Sequence, residues 1–365
     1  MPNTDTKLEK ARKIINEVDA EMRELFLRRM DAARLVAEYK KERGLAIYDP
    51  IREEEVIRRN SEKIEDDELR EYYVNFIRGN MAISRNYQSR LMNGMKVAYS
   101  GTEGAFAHIA TENLYPSASK VAFPDFVSAY RAVEDGECDI AVLPVENSTN
   151  GEVGQVTDLM FSGTLYVNGI YELAVTHDLL TVKGARMSDI KTVVSHPQAL
   201  GQCAEYIRRH GFESKEYANT ALAAKFVSEL NDTSVAAIGS ELAAEKFGLT
   251  VLDHDINESR SNTTRFAAFS RVANHRVTPD TGVHSILLFT VRNEAGALAQ
   301  AIDVIGKHGF NMRTLRSRPM KELLWQYYFY VEAEGNVQTD KGKEMMEELS
   351  QFCDRLKFVG TYVKL

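Results

Sequence analysis

Residues 1 to about 92 leave no room for a β-strand. Glycines are few, no stretch alternates with a two-residue period, and apolar side chains recur at three- and four-residue steps through Leu8, Ala11, Ile15, Val18, Met22, Leu25, Ala32 and Val36. That spacing predicts one helix of roughly 35 residues. Asp49 and Pro50 then supply an N-cap and a proline at the first helical position, opening a second helix through Ile57, and a third is expected from about Asp66 to Leu91. Three helices, one of them so long, cannot bury their apolar stripes within one monomer. The segment therefore calls for a partner chain.

The polar residues inside this helical segment are patterned as well. Arg29 and Lys40 are eleven positions apart, so at ~100° per residue they point within about 20° of each other, whereas Arg12 lies about 25 Å further along the same helix. One small ligand meets all three only if two such helices pack antiparallel across a dimer, setting Arg12 of one chain beside Arg29 and Lys40 of the other. Ser84 and Gln88 form an i,i+4 pair on one face of the third helix, and Arg52-Glu53 follow the cap of the second. Singly, each reads as an ordinary solvated side chain. The set does not.

As a set these positions resemble the all-helical class of chorismate mutase, in the form fused to prephenate dehydratase. The family pattern falls on Arg12, Arg29, Lys40, Asp49, Arg52, Glu53, Ser84 and Gln88, with a slight drift in spacing before the third helix. The resemblance implies an all-α domain over residues 1–94, an intertwined helical dimer in which Arg12 crosses into the neighbouring site. It also implies a cofactor-free pericyclic rearrangement of chorismate to prephenate, in which the protein holds two carboxylates and stabilises charge growing on the ether oxygen. On that basis Arg12 and Arg29 take the carboxylates, Lys40 and Gln88 the ether oxygen, and Glu53 the substrate hydroxyl. Arg52 and Asp49 support them, and Ser84 belongs to the same catalytic set.

At Asn93-Gly94 the pattern changes. From Lys96 short β-branched runs alternate with helical segments: Val97-Ala98-Tyr99 before a helix from about Ala105, Ile140 to Leu143 before Asn147-Ser148-Thr149-Asn150-Gly151, Thr192-Val193-Val194 before a helix from about Pro197, and Val235 to Ile238 before Ser240-Glu241. This predicts an α/β region with mostly parallel strands. Ligands in such folds sit beyond the carboxyl ends of the strands, against helix N-termini, and Gly101-Thr102-Glu103-Gly104 is one such junction. No nicotinamide-binding glycine fingerprint is present, which argues against a dehydrogenase.

Further on, Ser261-Asn262-Thr263-Thr264-Arg265-Phe266 sets hydroxyl, cation and aromatic ring side by side, a cluster suited to a small ring-shaped anion, although alone such a run is also plain β-structure. Together with Gly101 to His108, Pro144-Val145-Glu146-Asn147-Ser148, Ser195-His196-Pro197-Gln198 with Gln202, and Asn219-Thr220, it is similar to prephenate dehydratase over residues 95–272. The resemblance implies two α/β lobes, periplasmic-binding-protein-like, closing on a ligand in the cleft between them. Prephenate must lose carbon dioxide and, from the opposite ring carbon, hydroxide, to give phenylpyruvate; aromatisation drives the reaction and the departing hydroxyl needs a proton. The resemblance places Thr264 there, as a hydrogen-bonding or relaying group, with Glu146 or His196 as the source of the proton. Glu146 also reads as a surface carboxylate capping the Asn147 turn, and His196 as a helix-start packing residue. Arg265, Asn147, Ser148, Ser195 and Gln202 are expected to hold the carboxylates and the keto group. Gly101, Gly104, Thr220 and Phe266 complete the expected substrate contacts.

After Arg271 a polar linker, Ala273 to Gly282, leads to a strand (His284 to Val291), a helix (Gly296 to Lys307), two strands (Phe310 to Leu315, Trp325 to Val331), a helix (Lys341 to Cys353) and a strand (Leu356 to Val363). This βαββαβ order over residues 280–365 is α+β and ferredoxin-like, and it resembles the ACT regulatory domain. The family's two phenylalanine-binding motifs fall on Gly296-Ala297-Leu298 and Ser317-Arg318-Pro319, which implies L-phenylalanine as allosteric effector. Where the family carries Glu before Ser-Arg-Pro, this chain carries Arg316, a change able to weaken effector binding or alter its signalling.

The chain thus reads as a multidomain protein, and 365 residues with only 8 prolines suffice for two or three cores. A net charge of −8 without a basic tract argues against nucleic acid. Apolar runs stop short of the ~20 residues of a membrane span, and the N-terminus lacks the apolar segment of a secretory signal, so no membrane partner and a cytoplasmic location are expected. Cys138, Cys203 and Cys353 lack metal spacing and are expected as reduced, mostly buried thiols, with no metal, disulfide or cofactor implied. A homodimer or higher homo-oligomer is expected. Two further readings stand beside the bifunctional enzyme: a chain with one working site, and a non-catalytic sensor of aromatic metabolites, which would have little reason to keep Lys40, Gln88 and Thr264 together.

Overall fold

The computed structural model describes residues 4–259, 261–274, 282–320 and 326–363; most of the expected linker from Ala273 to Gly282, and Trp325, lie outside the described residues. The chain divides into two compact units, Met1–Met95 and Lys96–Leu365.

The first unit consists of the three expected helices, α1 (Thr4–Arg43), α2 (Pro50–Ser61) and α3 (Asp67–Asn93). Asp49 caps α2 by accepting the Arg52 backbone N–H at 3.0 Å, with Pro50 behind it, and Asp66 caps α3 in the same way through Leu69. α1 is 40 residues long but, among its described side chains, buries only Ala33 and Ala37. Leu8, Ile15, Val18, Met22, Leu25 and Val36 remain 42 to 57% exposed, so the apolar stripe read from the sequence lies largely uncovered in a single chain.

The second unit opens with a lobe containing β1 (Lys96–Ser100), α4 (Phe106–Leu114), β2 (Ser119–Phe123), α5 (Phe126–Glu134), β3 (Ile140–Asn147), β4 (Gly151–Glu152), α6 (Gly154–Ser162) and β5 (Tyr166–Ala174). The chain then crosses to a second lobe: β6 (Asp178–Thr181), β7 (Thr192–Ser195), α7 (Pro197–Gln202), α8 (Ala204–His210), β8 (Glu213–Glu216), α9 (Thr220–Leu230), β9 (Val235–Gly239), α10 (Glu241–Phe247) and β10 (Thr250–Asp253). It returns through β11 (Thr263–Ser270), which lies between β3 and β5. The sheet orders are β2-β1-β3-β11-β5 and β10-β6-β9-β7-β8. The expectation of mostly parallel strands needs correction. β6 and β11, the strands by which the chain enters one lobe from the other, run against both neighbours, and both sheets are mixed. Strands joined through helices keep the parallel sense, as β1 does with β2 and β3.

β12 (Val283–Val291), α11 (Ala297–Lys307), β13 (Asn311–Pro319), β14 (Tyr327–Glu334), α12 (Asp340–Ser350) and β15 (Cys353–Val363) give the expected βαββαβ order, as an antiparallel sheet β13-β14-β12-β15. Leu287 and Phe289 of β12 pack with Val304, Ile305 and Met345 of the two helices, whereas Ile286 and Leu288 join the core of the first lobe with Leu143, Met160 and Ile170. Covered on both faces, β12 reads as a continuous apolar run rather than an alternating one. β15 passes so close to β5 that a Cβ at Gly360 would run into the Val167 carbonyl. No helix among the described residues is long and apolar enough to cross a membrane. Burial pushes the Cys138 thiol up to about 11 and those of Cys203 and Cys353 up to about 12, so all three stay protonated.

Candidate active sites

In the helical unit, Arg29 on α1 donates to Ser84 Oγ and, at 3.2 Å, to the Asn80 carbonyl, both on α3. Burial pulls the Arg29 guanidinium below its ordinary range, and the Glu53 charge opposes that. Lys40 donates to the Ile47 carbonyl at the α1–α2 connection. Glu53 presents both carboxylate oxygens to Arg85, whose guanidinium carbon lies 5.2 Å from the Tyr48 ring centre. Tyr48, Glu53, Ile57, Arg78 and Arg85 line a cavity of about 480 Å³. Ser84 and Gln88 are buried on one face of α3, and Gln88 Oε1 meets no partner within the single chain. Arg52 instead faces solvent and pairs with Glu55 at 2.8 Å. Arg12 is exposed on α1, about 25 Å along the helix from Arg29. Nothing in the sequence marked Arg85, which lies beside Ser84 without belonging to the motif.

In the second unit a cavity of about 390 Å³ lies between the lobes. Ser100, Phe106, Asn147, Thr264 and Phe266 wall it from the first lobe; His196, Gln202, Asn219 and Thr220 wall it from the second, and His177 from the crossing between them. The first turns of α4, α7 and α9 all face it, and its lining, among the described residues, contains no Asp, Glu, Lys or Arg. Such a cavity is neutral in formal charge but ringed by the positive ends of helices. Gly101 and Gly104 turn the β1–α4 loop with φ of +95° and +87°. A Cβ at Gly104 would lie 3.4 Å from Ala243 Cα, and the Gly104 carbonyl accepts Ser240 Oγ at 3.1 Å, so this loop bears directly on the second lobe.

Buried Thr264 accepts a hydrogen bond from Asn147 Nδ2 at 2.9 Å, and the same nitrogen lies 2.9 Å from Asn262 Oδ1. Asn262 Nδ2 donates to Gln202 Oε1 at 3.0 Å, and His177 Nε2 lies 2.8 Å from that oxygen. His196 caps α7, its Nδ1 accepting the Gln198 N–H at 3.3 Å, and a second hollow of about 490 Å³ adjoins the first through Gln198 and Gln202.

Four expected substrate contacts lie elsewhere. Neighbouring residues of a strand point to opposite faces. With Thr264 and Phe266 on the cavity side of β11, Arg265 points towards the C-terminal sheet, where it meets Glu332 at 2.9 and 3.0 Å, Tyr362 Oη at 2.8 Å and Glu146 at 3.1 Å. Glu146 alternates away from the cavity in the same manner and is bound by both Arg265 and Arg316, which removes it as a proton source at the cleft. Ser195 is fully buried and donates to the Ile238 carbonyl at 2.6 Å, tying β7 to β9. Ser148 staples the end of β3 to the approach to β11 through Ser261 O and Thr263 N, both at 2.9 Å. In the C-terminal fold, Arg316 and Arg318 likewise turn towards the first lobe, where Arg318 meets Asp158 at 3.2 Å and Glu152 at 3.5 Å. Ser317 and Pro319 are exposed, and Gly296, with φ +88°, starts α11 ahead of half-buried Ala297 and Leu298. Burial alone would raise the Glu332 carboxyl, but the bonds from Arg265 hold it below the usual carboxylate range.

The family model for prephenate dehydratase matches residues 97–274, and that for chorismate mutase type II matches residues 11–89. A bifunctional chorismate mutase/prephenate dehydratase of Neisseria gonorrhoeae is 31% identical over 360 residues, covering 96% of this chain and 95% of that protein. The chain belongs to the bifunctional chorismate mutase/prephenate dehydratase family. Two solved structures match this family member with a TM-score of 0.69: prephenate dehydratase from Arthrobacter aurescens in complex with L-Phe, at 25% identity over 74% of this chain and 90% of that one, and GqqA, described as a novel type of quorum quenching acylase, at 30% identity over 74% and 98%. Within the family frame the described cavities fall where the two matched regions lie. Asn262 and His177 add to the residues expected at the cleft; Asn262 sits in the quoted motif, whereas His177 stands alone in sequence.

Proposed function

We propose that the helical unit rearranges chorismate to prephenate and that the cleft converts prephenate to phenylpyruvate, two steps towards L-phenylalanine. The observation that carries the second step is the clamp on Thr264. Asn147 Oδ1 accepts the backbone N–H groups of Thr149 and Asn150, both at 3.0 Å, so its other end is the NH₂. The Thr264 oxygen must therefore accept, which leaves its own O–H to be donated into the cavity. A hydroxide leaving carbon is helped by such a donor, while the helix ends at α4 and α9 suit the substrate carboxylates without a fixed cation. As carbon dioxide departs, its bonding pair enters the ring and expels hydroxide, which the Thr264 O–H hydrogen-bonds as it leaves and which takes its proton from solvent; aromatisation drives both losses.

For the mutase, Arg29, Lys40, Glu53 and Gln88 surround the substrate, with Ser84, Asp49 and Arg52 in support, and Arg12 is supplied by the partner of an intertwined dimer. The uncovered stripe of α1 supports that arrangement. Functionally the chain comprises residues 1–94, 95–272 and 280–365, the last an ACT domain that takes L-phenylalanine through Gly296-Ala297-Leu298 and Ser317-Arg318-Pro319. A time course with chorismate as sole substrate, repeated with millimolar L-phenylalanine, tests the whole reading. Phenylpyruvate should form and be suppressed by the amino acid. Prephenate accumulating alone would sink the dehydratase assignment, and a rate unmoved by phenylalanine the regulatory one.

A further inference from the structure

We propose that His177 is a positioning residue of the dehydratase cleft: it fixes the Gln202 amide so that the Gln202 NH₂ is held ready for an acceptor oxygen of the substrate. The inference rests on the assignment of prephenate to this cleft. Its basis is a chain of hydrogen bonds whose polarity is set at one end by the backbone. Side-chain amides and imidazoles are ambiguous by themselves, because oxygen and nitrogen, or two ring nitrogens, can exchange places. Here they cannot. The N–H groups of Thr149 and Asn150 demand Asn147 Oδ1, so Asn147 Nδ2 faces Asn262 and requires Asn262 Oδ1. Asn262 Nδ2 then faces Gln202 and requires Gln202 Oε1. The imidazole nitrogen 2.8 Å from that same oxygen must carry the proton, which makes His177 a donor through Nε2.

Two consequences follow at the far end. With its oxygen occupied by two donors, Gln202 has its Nε2 buried and without a partner, beside both hollows that it lines. An unpaired buried donor in a cavity awaits an acceptor. His177 itself is 2% exposed: its ring packs edge-on against Phe106 at 5.5 Å and leaves Nδ1 without a partner, its backbone N–H donates to Asn257 Oδ1 at 3.0 Å, and its backbone carbonyl accepts the Ile256 N–H at 2.8 Å. Ile256 and Asn257 lie on the return crossing between the lobes, so one residue ties together both crossings and the amide. Burial also holds the imidazole below its ordinary range, in keeping with a neutral ring.

The test is steady-state phenylpyruvate formation from prephenate by the full chain carrying His177→Leu, His177→Gln, Gln202→Ala, and the Leu and Ala changes combined. His177→Leu removes one of the two donors on Gln202 Oε1 and leaves Asn262 Nδ2 to hold the amide alone, so the NH₂ is less well placed and KM should rise about tenfold with kcat within about twofold. In His177→Gln the new Nε2 stands where the imidazole Nε2 stood, and most of that loss should be recovered. The double variant should be no worse than Gln202→Ala alone. A His177→Gln protein as impaired as His177→Leu, or losses that multiply in the double variant, would overturn the role. Should leucine prevent folding, Gln202→Glu asks the same question, because it keeps both accepted bonds and sets an anionic oxygen in place of the NH₂. Its KM should exceed that of Gln202→Ala, and an equal or lower value overturns the proposal. A parent chain that leaves prephenate intact sinks the dehydratase reading and this role with it; an active parent with an equally active His177→Leu sinks the role alone.

Discussion

What Thr264 brings to the cleft is direction, since a threonine hydroxyl is a weak acid and its oxygen is already engaged by Asn147. Thr264→Val keeps the shape and removes the O–H. Phenylpyruvate formation from prephenate should then fall by about 10²-fold or more, with mutase turnover by the same protein unchanged. In the helical unit, Lys40→Ala should raise the mutase barrier by about 3 kcal/mol, and undiminished chorismate turnover would remove Lys40 from the site. Thr264, Asn147 and Gln202 were legible because each stands in a short motif at the end of a strand or the start of a helix, where α/β folds gather ligands. Arg265 and Glu146 misled for the opposite reason. A motif lists neighbours in sequence, and a strand sends alternate neighbours to opposite faces. His177 was missed because a lone histidine carries no signal until the fold sets it 2.8 Å from Gln202.

Elements show a similar division. The three long helices and the βαββαβ order could be read from period and caps, whereas the reversed senses of β6 and β11 could not, because they depend on where the chain crosses between lobes. β11 carries the Thr264 hydroxyl on one face and, on the other, an arginine held by Glu332 and Glu146. Glu332 is 3% exposed, so removing its charge leaves a buried cation short of a partner. Glu332→Gln should cost about 3 kcal/mol in urea unfolding at neutral pH. Its pH dependence has a definite sign. The native carboxyl titrates below its ordinary value, so the unfolded chain binds more protons in that window, and the stabilisation, complete above the ordinary carboxylate range, disappears as pH falls through the lower native value. The parent should therefore lose stability between neutral pH and pH 3 more steeply than Glu332→Gln, and equal slopes would show that the cluster contributes nothing.

For the molecule as a whole, the uncovered stripe of α1 is the feature a single chain cannot accommodate. A charge placed in its middle, as in Leu25→Glu, should dissociate the assembly in light scattering and abolish mutase turnover, because Arg12 would no longer reach the partner's site; a monomer with full mutase activity would contradict the shared site. The apolar stripe of α1 was visible in the sequence. The closeness of the C-terminal fold to the first lobe was not, since Ile286, Leu288, Tyr328 and Tyr362 look like any β-sheet core until they are found among the side chains of that lobe. That closeness determines how far news has to travel. Arg265 and Thr264 are adjacent links of one strand, so the ion pair that joins Glu332 of the C-terminal sheet to Arg265 ends a single peptide unit from the Thr264 hydroxyl. Between the C-terminal sheet and the cleft at Thr264 stands the thickness of one strand.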